Sequence, residues 1–188
     1  MFGIRPITST LTVVSGQTLI PHATRRTETA MAREEIGKGV WYAVDTGYIG
    51  LDLTAEIPPQ EKRTVEGIAL FPKDEYHCSL VAFGKCVNDP TEEQRVADAV
   101  KDYLREHDLD FAGLGDERYL CRKDDRVTIV APVRIDGVDE FFTFIQGLIT
   151  DYLPPFLHVT LLKSETRENG ISVNSIEDLH HYCEKLTP

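Results

Sequence analysis

Two short segments of this chain have the same layout, and both are typical of β-strands. They are His77 to Leu80 (HCSL) and His158 to Leu161 (HVTL), and each lies within an apolar stretch. Because side chains on a strand alternate between its faces, each histidine points the same way as the hydroxyl residue two positions later. The residue between them points to the other face, towards a core. The chain is therefore expected to contain two half-buried strands, 81 residues apart, that each present a histidine and a hydroxyl.

These residue types suit acid–base chemistry on an anion. Imidazole has an unperturbed pKa of about 6.5 and can take up or release a proton near neutral pH. If the two strands meet, His77 and His158 are candidates for base and acid, and Ser79 and Thr160 are candidates to donate hydrogen bonds to anionic oxygens. The pattern does not say which histidine has which role. The alternative, two core-strand histidines bonded to backbone carbonyls, stays open.

The paired His-x-Ser/Thr-aliphatic motifs resemble the 2H phosphoesterase superfamily, which includes 2′-5′ RNA ligase-like proteins and cyclic nucleotide phosphodiesterases. The resemblance covers roughly residues 65 to 186 and is closest in LPPFLHVTLLKS, around the second motif. It implies a metal-independent phosphodiesterase that acts on ribonucleotide or RNA-end phosphodiesters, either 2′,3′-cyclic phosphates or 2′-5′ linkages. It implies neither a metal nor another cofactor.

The motif residues and their neighbours are candidates for roles in this reaction. His77 and His158 are catalytic, Ser79 and Thr160 bind the phosphate, and the neighbouring Tyr76 and Phe156 are candidates to stack on a base. Further cations are candidates to line the groove: Lys85, Arg122, Lys123, Arg126 and Lys163. The alternative function is a nucleotide or RNA-end binding module that uses the same groove without turnover. Hydrolysis and ligation are not distinguished, because both use the same acid–base pair.

Composition limits the possible partners and locations. A formal net charge of −11 argues against generic binding to duplex nucleic acid, which needs a basic surface. No apolar run approaches the ~20 residues that span a bilayer, and the N-terminus does not match a secretory signal, so we expect a cytoplasmic protein that does not bind membranes. The four cysteines form no Cys-x-x-Cys pair and are expected to be reduced. His180-His181-x-Cys183 is an unfavourable metal site, because adjacent helical residues point about 100° apart. The oligomeric state is left open.

The order of elements predicts an α+β fold. Residues 1–40 are assigned to an N-terminal extension whose structure the pattern does not define, with a helix indicated over residues 27–36. Residues 41–188 are assigned to a 2H phosphoesterase-like domain, two-lobed, with largely antiparallel sheets around a central cleft and helices outside. The main elements expected there are a hairpin around Thr46-Gly47, a helix with a Thr91/Gln94 capping box, strands near 118–122 and 126–133, a helix from Val138, and a last helix from Asn174 or Ser175.

Overall fold

The computed structural model of the chain describes residues 33–44, 46–87, 89–164, 171 and 173–186. Most of the extension expected over residues 1–40 lies outside these ranges. The helix expected over residues 27–36 is wrong in its described part, because Arg33–Gly37 is a strand. This strand pairs with Val40–Ala43 and contributes the buried Ile36, so strand pairing overrides the local helix preference. The sheet therefore begins before residue 41.

Eleven strands and three helices lie in the described part of the chain. In chain order they are β1 (Arg33–Gly37), β2 (Val40–Ala43), β3 (Tyr48–Asp52), β4 (Arg63–Val65), β5 (Ile68–Pro72), β6 (His77–Ala82), α1 (Pro90–Tyr103), β7 (Asp110–Leu114), β8 (Tyr119–Lys123), β9 (Arg126–Asp136), α2 (Val138–Leu148), β10 (His158–Ser164), α3 (Ile176–Tyr182) and β11 (Cys183–Lys185). The predicted α+β class is confirmed. No described helix is both long enough and apolar enough to traverse a bilayer.

The sheet is antiparallel and forks at β10. Its main path runs β1-β2-β3-β6-β10-β9-β8-β11. Strand β9 occupies one edge of β10. The other edge is shared, because Val159 pairs with β6 whereas Leu162 to Ser164 pair with β5. The fork places the beginning of β10, where the second motif lies, directly beside β6, where the first motif lies.

Apolar residues are buried on both faces of the sheet. On one face Val159 belongs to the main core, together with Val100 of α1 and Ile145 of α2. On the other face Val130 belongs to a smaller cluster with Leu179 of α3. Helices α1 and α2 thus cover the face opposite the motif histidines, while α3 covers one end of the face on which those histidines lie.

Helix α1 begins slightly earlier than predicted. Asp89 is the N-cap, and its side chain accepts a hydrogen bond from the backbone N–H of Thr91 at 2.9 Å. Pro90 occupies the first turn, where its missing N–H and fixed φ favour a helix start. The predicted capping box of Thr91 and Gln94 is therefore wrong, because an Asp-Pro pair directly upstream supplies a better start.

The prediction of four reduced cysteines is also wrong. Cys121 of β8 and Cys183 of β11 form a disulfide, while Cys78 and Cys86 are free. The sequence pattern extends the last helix as far as Leu186, but in the structure the helix ends at Tyr182 and a short strand follows. That strand places Cys183 directly opposite Cys121 in the register with β8.

Candidate active site

The structure brings the four motif side chains together on one face of the sheet. Strands β6 and β10 are antiparallel neighbours, and Val159 is the partner of Cys78. Both of these residues are fully buried in the main core. The flanking motif residues are partly exposed on the opposite face. These are His77, Ser79, His158 and Thr160.

The register decides which motif side chains face each other. Extended by one residue in each direction, it sets His77 opposite Thr160 and Ser79 opposite His158. Directly opposed side chains have Cβ atoms about 4.5–5.5 Å apart, and diagonal neighbours are about 7–8 Å apart. The two histidines are therefore diagonal, with a hydroxyl beside each. Two imidazoles and two hydroxyls on so small an area can surround a single tetrahedral anion.

His158 is held in one orientation by the chain that precedes β10. Its Nδ1 lies 2.8 Å from the carbonyl oxygen of Phe156, and a carbonyl only accepts, so Nδ1 carries the proton. The Phe156 ring lies almost parallel to the imidazole, with centroids 5.9 Å apart. Burial lowers the pKa of His158, whereas the Phe156 carbonyl raises it. Nε2 is consequently the nitrogen of His158 that is left for a ligand.

His77 occupies a different environment. Its Nδ1 is buried and has no hydrogen-bond partner among the described residues, so Nε2 is the nitrogen that a ligand could use. The pKa of His77 falls to about 3, chiefly because the ring is buried, and the charges of Lys73 and Arg33 add to the shift. Asp52, its partner in the register with β3, opposes the shift. The unliganded protein therefore holds His77 as a neutral imidazole.

An aromatic wall borders His77 on the β2–β3 side. The Trp41 ring meets the His77 ring edge to face, with centroids 5.7 Å apart. The indole lies on Gly50, where an added Cβ would come within 2.8 Å of the ring. The Arg33 guanidinium lies 4.3 Å above it and forms an ion pair with Glu75 at 2.7 Å. The packed indole, 6% exposed, fixes this side of the face that carries the motif residues.

The two stacking candidates lie in different surroundings. Tyr76 is 5% exposed and packs in the main core, and it also lines a surface groove. That Tyr76 stacks on a base stays a prediction. Phe156 is partly buried. It packs against the smaller cluster, the one that contains Val130 and Leu179, as well as beside His158. It remains a neighbour of the site, and its carbonyl has the better-defined task of orienting His158.

The cations nearest the histidines are not those expected from the sequence. Lys73 lowers the pKa of both His77 and His158, so its ammonium group lies within electrostatic range of both rings. Lys73 belongs to the turn that leads into β6. In the sequence, its position four residues before His77 is all that links it to the site. Arg122, by contrast, forms ion pairs with Glu66 and Glu184.

Two further cations that the sequence suggested for the groove make other contacts. Lys123 lies over the Tyr182 ring, and Arg126 forms an ion pair with Asp124. Within the described ranges, no three His, Cys, Asp or Glu side chains are grouped so as to hold a metal ion. In the His180-His181-x-Cys183 pattern, the sulfur of Cys183 is bonded to Cys121.

Comparison of the chain with family models, with curated proteins and with solved structures found no match. The interpretation of the site therefore depends on the residues and geometry described above.

Proposed function

We propose that the protein is a metal-independent phosphodiesterase of the 2H phosphoesterase type, acting on ribonucleotide or RNA-end phosphodiesters such as 2′,3′-cyclic phosphates or 2′-5′ linkages. The observation that carries the proposal is the register of β6 and β10, which gathers two imidazoles and two hydroxyls on one partly exposed face. Phosphodiester cleavage needs one proton removed from the attacking oxygen and one delivered to the leaving oxygen. The paired motifs supply one histidine for each transfer.

The environments of the two histidines differ enough to assign their roles. The Phe156 carbonyl favours the protonated ring of His158, so when an anionic phosphate binds and raises the pKa of nearby imidazoles, His158 is the first to take up a proton from solvent. His77 has no comparable partner among the described residues and its pKa is about 3, so it stays neutral. A base must start neutral and an acid must start protonated. We therefore assign His77 as the base and His158 as the acid.

Hydrolysis of a 2′,3′-cyclic phosphate then requires one bond to form at phosphorus, one bond to break there, and two proton transfers. The oxygen of a water molecule bonds to phosphorus, and its proton passes to Nε2 of His77. The bond from phosphorus to one ribose oxygen breaks, and that oxygen takes the proton from Nε2 of His158. Ser79 and Thr160 donate hydrogen bonds to the non-bridging oxygens, where negative charge increases in the transition state. The charge of Lys73, which acts on both histidines, adds to the positive potential near the phosphate.

One observation favours the alternative function, a nucleotide or RNA-end binding module. The pKa values of both histidines are lowered, so neither ring is charged near pH 7 before a ligand binds. If a bound phosphate does not restore a proton to His158, the cleft binds without turnover. Trp41, the only tryptophan of the chain, touches the His77 ring, so its fluorescence is a direct reporter of binding.

The deciding experiment incubates the protein with 2′,3′-cyclic nucleotides and with 2′-5′-linked dinucleotides, with and without a metal chelator. The proposal predicts products in both conditions. Fluorescence quenching without products supports the binding module. Activity that chelator abolishes and added metal restores identifies a different enzyme.

A cytoplasmic location is part of the proposal, and the disulfide weighs against it. Structural disulfides persist in oxidising compartments and are rare in the cytosol. Alkylation of free thiols in freshly lysed cells, followed by mass spectrometry of the peptides that contain Cys121 and Cys183, decides the question. Alkylated Cys121 and Cys183 support the cytosol, and the intact disulfide supports an oxidising compartment.

A further inference from the structure

A groove of about 580 Å³ lies next to His77 and outside the motif face. One wall is the loop that follows β3, residues 54–60, and the other is the turn from Pro72 to Tyr76 that leads into β6. Both walls are adjacent in sequence to residues of the site, because the first follows Asp52 and the second precedes His77. These two residues are partners across β3 and β6. The groove thus lies beside the end of β6 that carries His77.

The floor of the groove is fixed before any ligand binds. The backbone N–H of Leu53 donates to the carbonyl of Tyr76 at 2.8 Å. The N–H of Tyr76 donates to the hydroxyl of Thr54 at 3.0 Å. Ile57 is 4% exposed and is bonded through its N–H to the carbonyl of Leu53. A preformed pocket needs little ordering when it binds, which favours affinity.

The size and chemistry of the groove fit a nucleoside better than a phosphate. Pockets of about 300–1,000 Å³ hold drug-sized molecules, and a phosphate alone fills a small part of that volume. The prolines at 58, 59 and 72 supply apolar surface, and Gln60 supplies an amide at the rim. A nucleobase has apolar faces and hydrogen-bonding edges, so both kinds of surface are matched.

Charge fixes the orientation of the occupant. Lys73 is the one cation among the described residues that line the groove, and its charge also lowers the pKa of both histidines. It therefore marks the end of the groove at which an anionic group is expected to bind. Glu56 and Asp74 also line the groove. Their carboxylates repel a second phosphate but not an uncharged nucleoside. One phosphate at the histidines and one nucleoside in the groove satisfy both conditions.

We infer that this groove binds the nucleoside that carries the scissile phosphate, an inference that rests on the proposed function and deepens it. The substrate class is then a terminal or cyclic nucleotide whose base and sugar contribute to affinity, rather than any small phosphodiester. Contacts with a base are worth about 1–3 kcal/mol, which corresponds to roughly 5-fold to 150-fold in affinity.

Isothermal titration calorimetry with adenosine 3′-monophosphate and with inorganic phosphate tests the inference. The wild-type protein is expected to bind the nucleotide about 10-fold more tightly, or better. Ala55 is exposed and lines the groove, so Ala55→Phe fills it and brings nucleotide affinity down towards that of phosphate. Gln60→Phe is a second filling variant. Ala112→Phe, at an exposed alanine of β7, is the matched control and keeps the wild-type ratio.

The groove and the proposed reaction fail in different ways. A wild-type ratio near 1, or filling variants that keep the wild-type ratio and a native circular dichroism spectrum, overturns the groove assignment even if cyclic nucleotides are hydrolysed. Absence of hydrolysis, with the ratio present and lost in Ala55→Phe, overturns the reaction and leaves the groove as a nucleoside site.

Discussion

Val159 of β10 lies directly opposite Cys78 of β6, and this single pairing places the candidate site on one face of the sheet. Because side chains alternate along a strand, a slip of one residue in either strand would send its histidine into the main core. Burial of Cys78 and Val159 against the helices opposes such a slip. Packing on one face of the sheet therefore determines the chemistry that is possible on the other.

The hydroxyls test whether the face binds the charge that develops on the phosphate. Thr160→Val and Ser79→Ala each remove one donor from the non-bridging oxygens, and turnover is expected to fall by about 10-fold to 10³-fold. Thr143→Val is the control, because Thr143 is exposed on α2 and its hydroxyl donates to the Asp139 carbonyl in its own helix. Equal rates in all three variants and in the wild type contradict a role for the hydroxyls.

The lowered pKa values predict an acidic optimum. Activity needs neutral His77, whose pKa is about 3, and protonated His158, whose pKa lies below 6.5. The kcat/KM profile, which reports the free enzyme, is expected to peak below pH 6.5. Lys73→Ala removes a positive charge, raises both pKa values and moves the peak to higher pH.

Lys38→Ala, at an exposed lysine that is paired with Asp110, is the control for that shift and leaves the profile in place. A peak above pH 7 in the wild type, or an identical shift in both lysine variants, contradicts the electrostatic description of the site.

The same burial links stability to pH. The pKa of His77 is about 6.5 in the unfolded chain and is lower in the folded protein, so the unfolded state binds the proton more readily. Stability that is complete above pH 6.5 is therefore lost as pH falls, by roughly 1–2 kcal/mol at pH 5 from this residue. Urea unfolding of the wild type and of His77→Gln at pH 7 and pH 5 measures the difference. Parallel losses in the two proteins contradict the shift.

The disulfide supports the surroundings of His158, the proposed acid. Cys121 and Cys183 pack in the second cluster with Phe156, whose carbonyl orients His158. Reduction opens a link between residues 62 apart in sequence, for which a stability loss of about 2–4 kcal/mol is typical. We also expect turnover to fall, because the support of Phe156 is loosened.

Urea midpoints and rates with and without dithiothreitol check both effects. The Cys121→Ser/Cys183→Ser double variant is expected to match the reduced wild type and to be insensitive to dithiothreitol. Cys86→Ser, which removes a free thiol, keeps the wild-type response. A wild-type protein whose stability and rate do not change on reduction contradicts this role of the disulfide.

Features that depend on local pattern were predictable from the sequence. The hairpin β2–β3 around Thr46-Gly47 and the last helix after Ser175 follow from turn and cap residues and are confirmed. The strand character of both motifs follows from their apolar flanks. Each of these features depends on residues within about ten positions of one another.

Features that depend on pairing between distant segments were not predictable. Asp52 faces His77 only because β3 is the neighbour of β6, and Lys73 reaches both histidines only because β6 and β10 meet. The disulfide needs the register of β8 with β11, a strand that follows a helix without a marked change in pattern. Long-range register is set by packing of the whole sheet, which a local pattern does not encode.

The most direct test of the two-histidine site is the hydrolysis rate of 2′,3′-cyclic nucleotides by His77→Gln and His158→Gln. His107→Gln is the control, because His107 is exposed and stacks on Tyr103. Each of the first two variants is expected to lose about 10²-fold to 10⁴-fold in kcat, with the control unchanged. Wild-type turnover in either His77→Gln or His158→Gln would contradict the proposed mechanism.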